Sequence, residues 1–384
     1  MSNVIRLGDY ITEISEKTTV NNQHMVLTSS QEGIVSQDDY FNKQVASKDN
    51  TGYKIIRRGQ FTYRAMSDTG RFYINRLTDY DIGIVSPAYP VFELRTNGQI
   101  LPEYLQEYFH SEHFQNAITL SSTGSTRVSL KLAKIADLRI DIPTLPKQQC
   151  AVQAISHVNH LISMQNSSAA KLDQLVKSRF VEMFGDPETN PYGWRKTTVG
   201  DVCSSVVRGP FGSALKKEFF VEPNGSTYKV YEQKHAIQKS ATIGTYYISA
   251  EKFGELRRFE CRPGDILMSC SGTMGELFQL PSGCERGVIN QALCKFTLSD
   301  CILPIVFLTY MRQTIGNLET KGSGIQNIAA VSYVKAMPIN LPPMEVQRRF
   351  AAFVAEVDKS KLAVKQSLEK LETLKKSLMQ EYFG

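Results

Sequence analysis

No run of 18 apolar residues occurs in this 384-residue chain, and Met1-Ser2-Asn3-Val4 opens it without a charged lead into an apolar core. Neither a membrane-spanning helix nor a secretory signal peptide is expected. Cysteine is sparse: seven residues, an odd number, with no CxxC pair. A disulfide framework is therefore not expected, and reduced thiols in a cytoplasmic protein are. Cys261, Cys270, Cys284, Cys294 and Cys301 do crowd one region, at spacings of 9, 14, 10 and 7. Those spacings fit no zinc pattern, so the cysteines read as core packing and no metal site is expected.

Catalytic equipment is missing as well. The chain has no GxxxxGK[ST] phosphate loop, no GxGxxG, no GxSxG elbow and no HExxH. Asn190-Pro191-Tyr192 lacks the second proline of an Asn-Pro-Pro-Tyr box and has no cofactor-binding glycine motif beside it, so it reads as a turn. His110/His113 and His157/His160 are paired at helical spacing without a third ligand and read as surface residues. No catalytic residue is assigned: this is the sequence of a binding protein. A net charge of +6 permits a polyanionic partner without requiring one.

Glycine and proline are absent from two further places, and there the absence is informative. None occurs from Lys147 to Phe184 or from Met344 to Phe383. Each stretch follows a proline motif (Ile142-Pro143-Thr144-Leu145-Pro146 and Leu341-Pro342-Pro343-Met344) and closes on Phe-Gly. Proline suits a helix start and glycine its end, so each stretch is bounded as one helix. The first, 38 residues by this reading, makes a rod of roughly 57 Å at about 1.5 Å per residue.

The two stretches are copies. Residues 135–185, moved forward by 199, land on 334–384 without a gap and match at thirteen of 51 positions, among them Pro143, Gln148, Val158, Leu172, Phe184 and Gly185. Chance would give about three. Apolar residues line a seam at steps of three, four and seven: Val158, Ile162, Leu172 and Val176 in one helix, and Val357, Val364, Leu368, Leu371 and Leu378 in the other. Gln165, Arg179, Lys361 and Lys375 are polar members of these seams. A narrow stripe is stable only with a partner, so the two helices are expected to pack on each other as an antiparallel coiled coil.

The preceding parts repeat more loosely. Gly83-Ile84-Val85-Ser86-Pro87-Ala88 parallels Gly287-Val288-Ile289-Asn290-Gln291-Ala292, and Arg58-Gly59-Gln60-Phe61 parallels Pro263-Gly264-Asp265-Ile266. Leu7-Gly8-Asp9 parallels Val199-Gly200-Asp201. The shift wanders from 192 to 204, which is tolerance of loop insertions. Short β-like runs at 61–63, 89–92, 266–268 and 293–296 alternate with turns, and one amphipathic helix is expected near 102–118 and another near 304–318. The fold class is therefore α+β, as two α/β recognition domains joined by two long helices. The boundaries are 1–141 for the first reader, 142–187 for the central helical region, 188–340 for the second reader and 341–384 for the C-terminal helical region.

Two-headed molecules suit targets with two halves. Polar loops follow the amphipathic helices, with Ser125, Thr126 and Arg127 in the first and Lys321, Ser323, Gln326 and Asn327 in the second. Such side chains suit a phosphate backbone or a base edge. Basic residues lie among aromatics in equivalent places: Arg58, Arg64, Arg71 and Arg76 in the first unit, and Arg208, Lys216, Lys217, Arg257, Arg258 and Arg286 in the second. All of these are candidate DNA contacts. A two-headed scaffold that binds no DNA is the alternative; its binding would be insensitive to salt.

Phe180-Val181-Glu182-Met183-Phe184-Gly185-Asp186-Pro187, followed by Asn190-Pro191-Tyr192-Gly193-Trp194, resembles the junction between the central helix and second reader of type I restriction–modification specificity subunits. Ile142-Pro143…Gln148, Leu341-Pro342-Pro343…Gln347 and Pro263-Gly264-Asp265-Ile266-Leu267 resemble that family too. The resemblance covers the whole chain; the first reader departs most, with Gly59-Gln60-Phe61 for Gly-Asp-Ile and Ser86-Pro87 for Asn-Gln. It implies readers of an asymmetric, bipartite double-stranded DNA site. It also implies docking of two methyltransferase subunits on the helices, with restriction subunits joining. S-adenosylmethionine, ATP and Mg²⁺ would belong to those partners, with no cofactor in this chain. The clean start and stop accord with a complete subunit rather than a module cut from a fused enzyme.

Overall fold

A computed structural model describes residues 3–40, 49–95, 98–119, 128–211, 214–315 and 331–384. It divides into two compact units: Met1–Ser167 with Lys365–Gly384, and Ser168–Val364. Each unit holds one reader and a piece of each long helix.

The readers are built alike. In unit one a four-stranded antiparallel sheet runs Ile11–Ile14, Val91–Leu94, Phe61–Thr62, Asn75–Arg76. In unit two the sheet Cys203–Arg208, Leu293–Leu298, Ile266–Ser269, Leu277–Gln279 repeats that order. A further antiparallel pair joins the start of each reader to the strand before its helix: Asn3–Arg6 with Arg139–Ile142, and Arg195–Thr198 with Pro338–Leu341. The Leu7 N–H donates to the Leu138 carbonyl, and Val199 repeats this on Met337, both at 2.9 Å. The readers part ways in a second sheet. Unit two has five strands there, Phe220–Val221, Tyr247–Ile248, Tyr228–Tyr231, Gly287–Ile289 and Glu260–Cys261. Unit one has separate two-stranded pairs at Leu27–Ser30/Gly33–Ser36 and Lys54–Arg57/Ile82–Val85.

The long helices span Leu145–Phe184 and Met344–Phe383, 40 residues each. The first starts two residues earlier than its proline motif suggests. Pro146 sits inside its first turn, where a missing N–H costs nothing. The single helix expected near 102–118 is instead two, Pro102–His110 and Glu112–Thr119. Ser111 breaks it: its backbone is extended at ψ 151°, and its Oγ accepts the Phe114 N–H at 3.2 Å, capping the second helix. In unit two the helix is Pro304–Ile315, ending at the limit of the described residues.

A buried glutamine seats each long helix on its reader. Gln148 is fully buried; its Oε1 accepts the Leu101 N–H at 2.8 Å, and its Nε2 donates to the carbonyls of Gln99 and Pro143, both at 2.8 Å. Gln347 repeats this: Oε1 accepts the Leu303 N–H at 2.8 Å, and Nε2 donates to Cys301 and Pro342 at 3.0 and 2.9 Å. In each unit one buried side chain satisfies three backbone groups.

The far ends are buried too. In unit one Phe383 enters the core with Ala151 and Ile155, its ring 4.9 Å from that of Tyr104. In unit two Phe184 packs on Phe180 and Phe350, at 4.6 and 5.1 Å. Within each unit, then, the start of one helix lies beside the end of the other, so the segments run antiparallel. The seam residues Val158, Ile162, Leu172, Val176, Val357, Val364, Leu368, Leu371 and Leu378 are all buried or half-buried. The first helix stops where its final carbonyls find side-chain donors. Gly185 turns at φ +79°, the Trp194 Nε1–H donates to the Phe184 carbonyl at 3.0 Å, and the Tyr192 hydroxyl to that of Glu182 at 2.8 Å. Asn190-Pro191-Tyr192 is a turn, with Asn190 in the left-handed region at φ 47°.

Candidate nucleic-acid interface

In unit one the short strand Met66–Ser67 pairs with Val128–Ser129. Here lies a cleft of about 600 Å³ walled by Arg64, Ser67, Thr69, Arg71, Tyr73 and Tyr89, with Thr28, Ser29, Ser30 and Gln37 also lining it. Hydroxyls, amides and two guanidiniums make a surface of hydrogen-bond donors and acceptors, suited to phosphates, sugars and base edges. The Gln37 Oε1 is buried with no hydrogen-bond partner among the described residues. Of the four arginines expected in this reader, the structure brings Arg64 and Arg71 into the cleft. The Arg71 guanidinium is held by Glu112 at 2.7 Å. Arg58 is tied to Asp81 at 2.9 Å and to the Thr78 carbonyl, and Arg76 to Glu103 at 2.5 Å. Those two line neither this cleft nor the other cavities described below.

Under the cleft a polar cluster sets its floor. Asn75 is buried and donates to Ser29 Oγ and the Ser30 carbonyl, both at 2.8 Å, and its Oδ1 lies 3.0 Å from His110 Nε2. His110 is thus part of the interior network rather than the surface residue expected. Burial first, and then the nearby Lys375 ammonium, hold its pKa down at about 4. His113, His157 and His160 are exposed.

In unit two one candidate cation, Arg286, and two further cations, Arg262 and Lys295, are organised around buried carboxylates. Glu260, 5% exposed, takes Arg286 at 2.6 and 3.1 Å and Arg262 at 3.1 Å. Burial pushes its carboxyl up, but the two arginines outweigh that and hold it below its ordinary value. The Arg286 guanidinium also lies over the rings of Tyr228 and Phe253, themselves stacked at 3.8 Å. Beside this, buried Asp265 accepts from Thr297 Oγ1 at 2.6 Å and from the Arg262 N–H at 2.8 Å, with Lys295 Nζ at 3.4 Å. A cavity of about 580 Å³ opens here, lined by Arg257, Arg262, Lys295 and Thr297. Arg208 is buried and lies over the Phe211 ring at 5.1 Å. Lys216 pairs with Glu218 at 3.6 Å, and Lys217, Arg257 and Arg258 are exposed. Arg286 is thus braced by Glu260, while its side chain remains 54% exposed.

Ser125, Thr126, Arg127, Lys321, Ser323, Gln326 and Asn327 lie outside the described residues. Sequence reasoning passed over Asn75 and Lys295, and it singled out Gln148 and Gln347 as matching residues of the repeat without giving them their seating role. Cys203, Cys261, Cys270 and Cys294 are buried, and among the described residues no cluster could hold a metal ion. Nor, among them, is any helix long and apolar enough to cross a membrane.

Comparison with known proteins accords with this geometry. Residues 191–374 match the model of the type I restriction modification DNA specificity domain. The chain is 21% identical over 283 residues to a Methanocaldococcus jannaschii protein named as the MjaX type I restriction enzyme specificity subunit, covering 72% of this chain and 65% of the relative. It is 25% identical over 140 residues to the MjaVIII specificity subunit of the same organism, covering 35% of this chain and 32% of that one. The chain thus spans less than two thirds of the length of either relative. Among solved structures it resembles a chain from a study of complex assembly and conformational transition in a type I R-M system, with TM-score 0.63, 18% identity and coverage of 100% and 97%. A type I S subunit from M. genitalium matches at TM-score 0.50 and 12% identity, covering 100% and 96%. At these identities the two likenesses speak for the fold.

Proposed function

From the match of residues 191–374 to the type I restriction modification DNA specificity domain, we propose that the chain is the non-catalytic subunit that chooses where a type I restriction–modification complex acts on DNA. Each reader would take one half of an asymmetric, bipartite site in double-stranded DNA. The observation that carries this reading is one scaffold used twice with different surfaces. Sheet order, seating glutamine and terminal pairing recur in both units. The clefts do not: unit one offers hydroxyls with Arg64 and Arg71, and unit two a cavity with Arg257, Arg262 and Lys295. Identical halves would call for a palindrome; unlike halves call for two unrelated half-sites.

The outward faces of the long helices carry Met164, Leu175, Leu362 and Leu374, each about half exposed. These residues are not consumed by the seams and would dock two methyltransferase subunits, with restriction subunits joining that complex. S-adenosylmethionine, ATP and Mg²⁺ would be held by those partners, in the cytoplasm, where the DNA is.

Methylome sequencing tests the reading. Cells carrying this gene with its methyltransferase gene should show a bipartite N6-methyladenine motif that disappears when this gene is deleted. A methylome unchanged by the deletion, with the protein verified as expressed, would refute it.

A further inference from the structure

The charged positions along the helix seams are not equally accounted for. In unit two, Lys361 pairs with Asp173 at 2.6 Å. Arg179 pairs with Glu182 at 2.7 Å and lies over the Phe353 ring at 5.5 Å. In unit one, Lys375 makes no ion pair within 4.0 Å among the described residues. The residue 199 positions earlier is Val176, which packs against the core of unit two. The repeat therefore puts a lysine where its copy has an apolar contact, and nothing in the helix pairing asks for it.

Lys375 instead faces a cavity of about 710 Å³ within unit one. Lys376, Met379 and Gln380 form one wall, and His110, Glu112 and His113 the other. Gln31, Arg71 and Tyr73 line both this cavity and the hydroxyl-rich cleft of the first reader, so the two meet to form a groove. Its fixed cations are Arg64, Arg71, Lys375 and Lys376, and its carboxylates are Asp68, Glu112 and Glu372; Arg71 pairs with Glu112. His110 is neutral at pH 7 and adds no charge. Glu107, beside Lys375, is pushed up by burial, against which the lysine acts.

A lined track of hydroxyls and amides with cations along it matches a sugar–phosphate strand, whose contacts are of that kind and fix register without reading sequence. We propose that this groove holds a stretch of DNA backbone flanking the first half-site, with Lys375 and Lys376 on the last turns of the second long helix as phosphate anchors outside the reader. The assignment rests on the DNA-reading role proposed above.

Salt dependence separates the two. The complex of this chain with its methyltransferase subunits is titrated with a duplex carrying the methylome motif over a range of KCl concentrations. Each phosphate contact contributes about 0.9 to the slope of log K against log salt. Lys375→Gln with Lys376→Gln should make the slope shallower by up to about 1.8, leave the motif unchanged and leave the melting temperature near the parent's. Lys376→Gln alone, at an exposed position, should remove about half of that. The two Lys→Arg changes should preserve the slope, as should Lys359→Gln, whose lysine pairs with Glu356 on an exposed face. Folded Gln variants with the parent slope would overturn the anchor assignment alone. A parent complex that binds no DNA would overturn the functional reading and these anchors with it.

Discussion

Phe383→Ala should destabilise the reader at the opposite end of the sequence. Phe383 is 6% exposed and lies in the core of unit one, its ring 4.9 Å from that of Tyr104 and 6.3 Å from that of Tyr108. Truncating a buried phenylalanine to alanine removes its transfer free energy and leaves a cavity, together about 3–5 kcal/mol. The surrounding residues (Leu105, Phe109, Ile155) are held in a packed cluster and can close the void only in part. A domain of this size loses about 2–4 °C of melting temperature per kcal/mol, so a fall of roughly 6–20 °C is expected for unit one. Scanning calorimetry with limited proteolysis provides the assay: new cleavage should appear in residues 3–142 at temperatures where 195–341 stays protected. Phe184→Ala should reverse the pattern, since its ring packs on Phe180 and Phe350 in unit two. A Phe383→Ala protein that melts like the parent, or is first cleaved in 195–341, would refute the placement.

Further outcomes follow from the same geometry. Gln148→Leu removes the acceptor of the Leu101 N–H and the donor to the Gln99 and Pro143 carbonyls, all from a fully buried position. Urea unfolding should read a loss of about 3 kcal/mol, and a loss below 0.5 would mean that the glutamine seats nothing. Gly185→Ala forces a side chain into the left-handed region and sets its Cβ 2.5 Å from the Pro191 ring; a loss of more than about 1 kcal/mol is expected. His110 has a folded pKa of about 4, below the ordinary histidine value. The unfolded chain therefore binds its proton first, and the stability from keeping this imidazole neutral is full above pH 6.5 and drains as pH falls toward 4. His110→Asn should flatten the stability profile across that window; an unaltered profile would count against the buried placement.

What could be read from the chain was whatever lay in short, ungapped pattern. The long helices were legible because fixed length and a three-four seam survive in both copies, and Phe-Gly marks where each ends. The main strands at 61–62, 91–94, 266–269 and 293–298 were legible as apolar runs between turns. The break at Ser111 was not, since the apolar periodicity of 102–118 continues through it, and the helix is interrupted by contacts of the Ser111 hydroxyl with the Tyr108 carbonyl and the Phe114 N–H. The basic clusters were visible as residue types but not as electrostatics. Arg58, Arg71, Arg76 and Arg286 find carboxylates 23, 41, 27 and 26 residues away. No local pattern encodes such a pairing, so an arginine that braces the fold and one that lines a cleft look alike in sequence.

The two long helices also bear on what a break in the chain would do. The first sets out from the core of unit one at Ala151 and Ile155 and finishes in that of unit two at Phe180 and Phe184. The second sets out from unit two at Phe350 and Val354 and finishes in unit one at Phe383. The polypeptide is stitched across twice, in opposite directions. A single nick near Ser167 would leave the N-terminal fragment gripped by residues 365–384, which remain covalently part of the other fragment. Denaturing electrophoresis would show two bands and gel filtration one intact particle. Parting the readers takes a second cut, in the other helix.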